Sequence, residues 1–286
     1  MVHGPKLIAT SWTALGDVTP LDKSWVSDIA LPERLAILVE QGWSGIGFTQ
    51  DELAIARDQD NFAAMRRQVE AAGIDHVEVE FLSDWWCDGA AGEASRRHLD
   101  VLLDGAEALG AAFIKIGTAF DEPIDDLEPL VAPLRRVCEL AAARGQRIVF
   151  EPAAVSMVDT VPKGSDLISR AEMANCGLLV DFWHVLRAGT TAADLLGTVP
   201  HGQVWAVELT DADREPAGDS LLEDTVNHRR YCGEGTIDIP ALVAAMRELG
   251  FDGAWGVEIL STEHRALPLA DGLRRARDTA LSVLRV

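Results

Sequence analysis

Short apolar runs and amphipathic stretches take turns along the chain. The runs are Lys6–Trp12, Gly45–Asp51, His76–Leu82, Phe113–Gly117, Arg147–Pro152, Gly177–Trp183, Val204–Asp211 and Gly253–Leu260. Short apolar runs bounded by turn residues read as strands buried on both faces. Between them, apolar residues recur at three- and four-residue spacing, the signature of helices packed by one face. The helical stretches are Leu31–Gln41, Asn61–Ala72, Ala94–Leu109, Leu127–Ala143, Asp166–Ala174, Ala192–Leu196, Ile239–Leu249 and Ala270–Leu284. Pro32 sits in a first turn, where a proline costs no hydrogen bond. Gly73, Gly110, Gly145 and Gly250 follow helical stretches, as helix stops do.

Strict alternation of strand and helix predicts a parallel sheet with right-handed crossovers. Eight such units over about 250 residues or more predict a closed (β/α)8 TIM barrel, an α/β fold. A single domain is expected over residues 1–286, since no change of composition marks a boundary. The competing architecture is a doubly wound sheet, but no G-x-G-x-x-G follows the first strand. Two longer loops follow strands: Phe81–Gly92, with Trp85 and Trp86, and Asp211–Thr236, with His228, Arg229, Arg230 and Tyr231. Long loops at the C-terminal rim of a barrel are where substrate contacts and lids are expected.

The strand ends carry the candidate chemistry. In a barrel they face one cavity, and here they bring Glu80, Lys115, Glu151, Asp181, His184, Glu208, Asp211 and Glu258. Carboxylates crowded together repel or hold protons unless a cation relieves them. All-oxygen ligation favours Mg²⁺ or Mn²⁺ over zinc. Glu208 shares a strand face with Val204 and Ala206, and Glu258 with Gly256 and Ala254. Small residues on that face leave room for a ligand and favour inward-pointing acids. The competing role for these acids is to cap the helices that follow.

Charge narrows the partners. Lys and Arg number 25 against 46 Asp and Glu, a net charge of −21. Such a surface repels nucleic acid and anionic membranes. No apolar run approaches the roughly 18 residues of a membrane span. The N-terminus, MVHGPKLIATSW, lacks the pattern of a secretory signal. Cys87, Cys138, Cys176 and Cys232 lie far apart, without zinc spacing, so free thiols and a cytoplasmic setting are expected. A homo-oligomer is compatible with the sequence, which sets no symmetry for it.

Taken together, Glu151-Pro at strand five, Asp181-x-x-His184 at strand six, V-x-L-x-D with Arg214 three residues on at strand seven, and V-Glu258 at strand eight resemble the xylose isomerase-like TIM-barrel superfamily. That superfamily holds ketose epimerases, inosose dehydratases, hydroxypyruvate isomerases and 3-dehydroshikimate dehydratases. The resemblance implies that Glu151, Asp181 and Glu258 are three of four ligands to one divalent metal ion. It implies substrate contacts for His184 and Arg214. The fourth ligand of the family is a histidine on strand seven, and Glu208 stands in its place, which either makes the site harder or means that the metal has been lost. Six residues after Glu151 the ketose epimerases have an acid, and this chain has Met157. The superfamily's DNA-repair branch requires many histidines and a basic surface, and this chain has neither.

The expected activity is that of a metal-dependent sugar isomerase or epimerase. Its substrate is a small sugar or polyol-derived carbonyl compound, and the proton moves through a metal-held enediolate. A metal acts as a Lewis acid on the carbonyl oxygen, and Glu151 and Glu258 remove and return the proton. His184, Arg214, Lys115 and Glu80 are the candidate substrate contacts, and for Lys115 and Glu80 pairing with each other is the competing role. The alternative reaction is dehydration of a keto-polyol or cyclic keto acid such as an inosose or 3-dehydroshikimate. A barrel that binds a ligand without catalysis is the third possibility.

Overall fold

The computed structural model describes residues 4–118, 120 and 122–285, so the first three residues of the N-terminal stretch lie outside it. Eight strands form a closed, all-parallel barrel in sequence order. They are β1 (Leu7–Ala9), β2 (Gly45–Thr49), β3 (His76–Leu82), β4 (Ile114–Gly117), β5 (Ile148–Glu151), β6 (Cys176–Asp181), β7 (Val204–Leu209) and β8 (Trp255–Val257). Each lies within the run expected to form it or starts one residue outside.

The crossover helices are α2 (Leu31–Glu40), α4 (Phe62–Ala72), α5 (Gly89–Leu109), α6 (Glu128–Ala143), α7 (Val161–Ala171), α9 (Ala192–Thr198), α11 (Ile239–Glu248) and α13 (Leu269–Leu284). Among the described residues five short ones complete the set: α1 (Ser11–Ala14), α3 (Gln50–Asp58), α8 (Phe182–Arg187), α10 (Leu221–Asn227) and α12 (Thr262–Arg265). Helix α7 starts five residues earlier than its apolar spacing indicates. The Thr160 hydroxyl accepts the Lys163 N–H at 3.3 Å, and Pro162 falls in the first turn, where no donor is missed. Among the described residues no helix is long and apolar enough to cross a membrane.

Two apolar layers hold the fold. The larger lies between barrel and helices, where the inner face of α5 (Leu99, Leu102, Leu103, Ala106) is buried. The smaller plugs the barrel itself, with Phe113, Val149, Leu179 and Ala206 packed together. Two residues further along, toward the C-terminal rim, the inward positions on those same four strands become Lys115, Glu151, Asp181 and Glu208. Side chains alternate along a strand, so each belongs to the same face as its apolar predecessor. The barrel therefore changes from dry to charged within one layer.

Candidate active site

Strand register sets the charged layer. Asp181 pairs with Glu208 across β6 and β7, and Glu208 with Gly256 across β7 and β8. Gly117 pairs with Glu151 across β4 and β5. Gly256 makes room: a Cβ there would stand 3.0 Å from the Glu208 Cγ and 2.9 Å from the Val207 carbonyl oxygen. The end of β8 is tied to α1 through Thr13, whose hydroxyl accepts the Ile259 N–H and donates to the Val257 carbonyl, both at 2.8 Å. Glu258 sits between those two anchored residues.

The expected cluster forms. Glu151, Asp181, Glu208 and Glu258 each direct a carboxylate oxygen to a common point, with these atoms within 4.8 Å of one another. Asp181, Glu208 and Glu258 are buried and Glu151 nearly so. The Asp181 carboxylate also caps α8, with Oδ1 accepting the N–H of Trp183 at 2.6 Å and of His184 at 3.3 Å. That cap turns the chain from strand to helix and brings His184 to the rim. His184 Nδ1 accepts the Ala154 N–H at 3.2 Å, so Nε2 carries the ring proton. Nε2 faces Glu151 Oε1 at 3.6 Å. Burial pushes the imidazole pKa down to about 4, despite the pull of Asp181, and the ring is neutral at physiological pH.

Two buried cations enter the acid layer. Lys115 Nζ bonds Glu208 Oε1, lies 3.1 Å from Glu78 Oε2 and 3.8 Å from Glu80 Oε2. Burial opposes its charge, but the three acids outweigh burial and hold the ammonium firmly protonated. Arg229 comes from the loop after β7. Its Nη1 donates to Asp181 Oδ2 at 2.6 Å and approaches Glu258 Oε2 at 3.0 Å. Thr225 holds the other side of the guanidinium, with its hydroxyl accepting from Nη2 at 3.0 Å and its carbonyl from Nε at 3.2 Å.

The acids respond to this uneven pairing. Burial would raise Asp181, but Arg229 and His184 outweigh it and leave the carboxyl below its usual range. Glu208 is pushed up to about 8 by burial, with Lys115 opposing and Asp181 adding to the rise. Burial and the neighbouring Glu208 raise Glu151 well above the ordinary value, and Asp181 adds to the effect. Glu258 is raised by burial and Glu208 against the pull of Arg229.

A cavity of about 280 Å³ opens above this layer. Its polar wall includes Glu80, Glu151, His184, Arg229 and Glu258, and its mouth is aromatic, with Trp12, Trp25, Phe81 and Phe120. Trp12 and Trp25 meet edge to face with ring centres 5.2 Å apart.

Several expected contacts fall elsewhere. Arg214 is exposed and is not part of the cavity wall. Its carbonyl accepts from Arg187 Nη1 at 3.2 Å, so this segment serves the loop. Arg229 supplies the cation in the cavity wall. Lys115 pairs with acids beneath the cavity and does not line it. Glu80 does line it, and its Oε1 accepts the Ser11 N–H at 3.2 Å. Asp211 is a loop organiser: its carboxylate accepts the N–H groups of Ala212, Gly233, Gly235 and Ile237. Trp85 turns inward and donates its ring N–H to the Gly117 carbonyl at 2.7 Å. Met157 packs against the core.

The donor set fits a hard divalent ion. Glu208 Oε2 is buried with no hydrogen-bond partner. Glu151 has only neutral His184 within ion-pair distance, so among the described residues no cation pairs with it directly. Oxygen donors converging in excess of their cations are what such an ion needs.

Barrel topology and the acids at its C-terminal rim define a class that the sequence confirms. The profile of the xylose isomerase-like TIM barrel family matches residues 35–279, and the chain belongs to that family. The 3-dehydroshikimate dehydratase of Pseudomonas aeruginosa is 26% identical over 257 residues, which cover 85% of this chain and 39% of that protein. The chain thus spans well under half of that dehydratase. The inosose isomerase of Bacillus subtilis is 24% identical over 153 residues, 53% of each chain. Among solved structures, the IOLI protein with a bound zinc atom superposes with a TM-score of 0.79 at 18% identity, covering 98% of both chains. At that identity the superposition speaks for the fold alone.

Proposed function

We propose that this protein is a divalent-metal-dependent isomerase or epimerase of a small sugar or polyol-derived carbonyl compound. The observation that carries the reading is the convergence of Glu151, Asp181, Glu208 and Glu258 within 4.8 Å beneath a cavity. Those four residues would hold the ion, and Mn²⁺ or Mg²⁺ suits four carboxylates best. Bound there, the ion supplies Lewis acidity toward a substrate carbonyl and acidifies the neighbouring C–H.

The chain's own groups do the rest. Glu151 and Glu258 reach the cavity and are the residues positioned to take a proton from carbon and return it. Return at the adjacent carbon isomerises the substrate, and return from the other face epimerises it. Neutral His184, with its proton on Nε2, donates a hydrogen bond to a substrate oxygen. Arg229 brings a fixed positive charge to the same wall. The aromatic mouth excludes water and offers apolar faces to a carbon ring or chain.

The test is solvent exchange. The protein, loaded with Mn²⁺ or Mg²⁺, is incubated in D₂O with a panel of ketoses and cyclic keto-polyols and followed by NMR. Metal-dependent deuterium uptake at the carbon beside the carbonyl is the expected result. No uptake across the panel, with metal bound, counts against the reading.

Dehydration is the second reading, and two observations favour it. Matched relatives are named 3-dehydroshikimate dehydratase, and Arg229 gives the cavity a cation suited to a carboxylate. Proton removal by the same glutamates then ends in loss of a β-hydroxyl. An enone or aromatic product absorbs in the ultraviolet and separates the two outcomes in one assay.

A further inference from the structure

We infer that Lys115 is a built-in counter-ion to Glu208 that sets the ion affinity of the acid cluster, so that Glu208 meets the metal only in competition with an internal ammonium. The inference rests on the metal reading above and concerns a residue outside the cavity wall.

Position argues for it first. Lys115 points into the barrel from the middle of β4, one layer below the rim, and its side chain is 1% exposed. Gly117, the next inward position on that strand, is filled by Phe81, whose ring lies 2.5 Å from where a Cβ would be. The lysine is therefore roofed over and does not reach the cavity. A buried ammonium persists only with counter-charges arranged around it. Glu78 supplies one from below and is itself held by His76 Nε2 at 3.0 Å. Glu208 supplies the other from above.

Division of the carboxylate argues for it next. Glu208 commits Oε1 to Lys115 and leaves Oε2 buried without a partner. Arg229 pairs in the same way with Asp181 and Glu258. Glu151 alone of the four makes no direct ion pair with a lysine or arginine among the described residues. The four acids thus contribute unequally to the field at their common point. Glu151 offers oxygens that no ion pair holds, and Glu208 offers a carboxylate that an ammonium already engages.

Calorimetric titration of the metal-free protein with MnCl₂ at pH 8 tests this directly. Lys115→Met should tighten Mn²⁺ binding by about tenfold, the scale on which groups behind a ligand tune affinity. In a Glu208→Gln background the same substitution should gain about threefold or less, because the coupling runs through that carboxylate. Glu208→Gln alone keeps Lys115 paired with Glu78 and Glu80, so it should fold. It should weaken binding far less than Glu151→Gln, whose loss is expected at roughly a hundredfold.

An unchanged or weaker affinity in Lys115→Met overturns the inference, as does an equal gain with and without Glu208. If Lys115→Met fails to fold, the two glutamate variants decide: equal losses for Glu208→Gln and Glu151→Gln overturn it. Wild-type protein that takes up no Mn²⁺ refutes the metal reading itself, a result distinct from any of these.

Discussion

Raising the pH of the metal-free protein should destabilise it. Glu208 titrates at about 8 in the fold and at roughly 4.3 in an unfolded chain. A carboxyl raised in this way keeps its proton in the native state after the unfolded state has lost it. The native state then binds more protons, and stability falls as pH rises through that window. Between pH 6.5 and 8, one such group removes roughly 1.5–2 kcal/mol. For a chain of this size that lowers Tm by roughly 3–6 °C. His184, held down to about 4, and His264, also lowered by burial, act in the opposite sense, mostly below pH 6.5, and within the window they offset at most roughly 0.4 kcal/mol each. Glu151 and Glu258 are raised as well and steepen the fall. Scanning calorimetry after chelation, at several pH values, reads the slope. Saturating Mn²⁺ should flatten it, because an ion at the common point keeps the carboxylates ionised. A metal-free Tm that is constant or rises from pH 6.5 to 8 refutes the argument, and so does an equal fall with and without Mn²⁺.

Four further outcomes follow from the same geometry. Replacing Arg229 by Met leaves Asp181 and Glu258 without their shared cation and should cost about 3–5 kcal/mol, measured by denaturant titration, with excess Mn²⁺ recovering part of the loss. Glu258→Gln should slow solvent exchange into a responsive substrate by roughly 10²–10⁴, whereas Arg214→Ala should leave kcat/KM unchanged because that side chain stands in solvent. Gly256→Ala places a methyl group against the Glu208 Cγ and the Val207 carbonyl; it should weaken Mn²⁺ binding by about tenfold, and a fully retained affinity would show that Glu208 has no fixed position.

The barrel is legible in the sequence because its strands are apolar on both faces and its crossover helices on one. Each periodic signal reports on a long packed surface. The short rim helices leave no such trace. Helix α8 reads FWHVLR, apolar on nearly every side, and it forms because Asp181 caps it. Helices α10 and α12 likewise begin where Ser220 and Ser261 accept backbone N–H groups. The metal-ligand candidates were visible because strand ends in a parallel barrel converge by topology. The cavity cation was not. Arg214 and Arg229 belong to one aperiodic loop, and choosing between them requires the fold of that loop. Asp211 ties its far end through three backbone N–H groups, and Arg187 holds its middle through Asp224. Neither tie has a spacing that a sequence displays. Lys115 was legible as a lysine able to pair with an acid but not as one roofed by Phe81, since that depends on the glycine two positions later.

Asp181 joins architecture to chemistry in a single side chain, because one of its oxygens starts a helix and the other pairs with Arg229 beside the acid cluster. Truncation there removes the chemistry and the helix cap together, so such knock-out variants will mislead unless His184 is shown to stay in place, whereas Asp181→Asn keeps a capping oxygen. Descendants of this protein that abandon catalysis would therefore be expected to keep the aspartate long after the other acids have drifted.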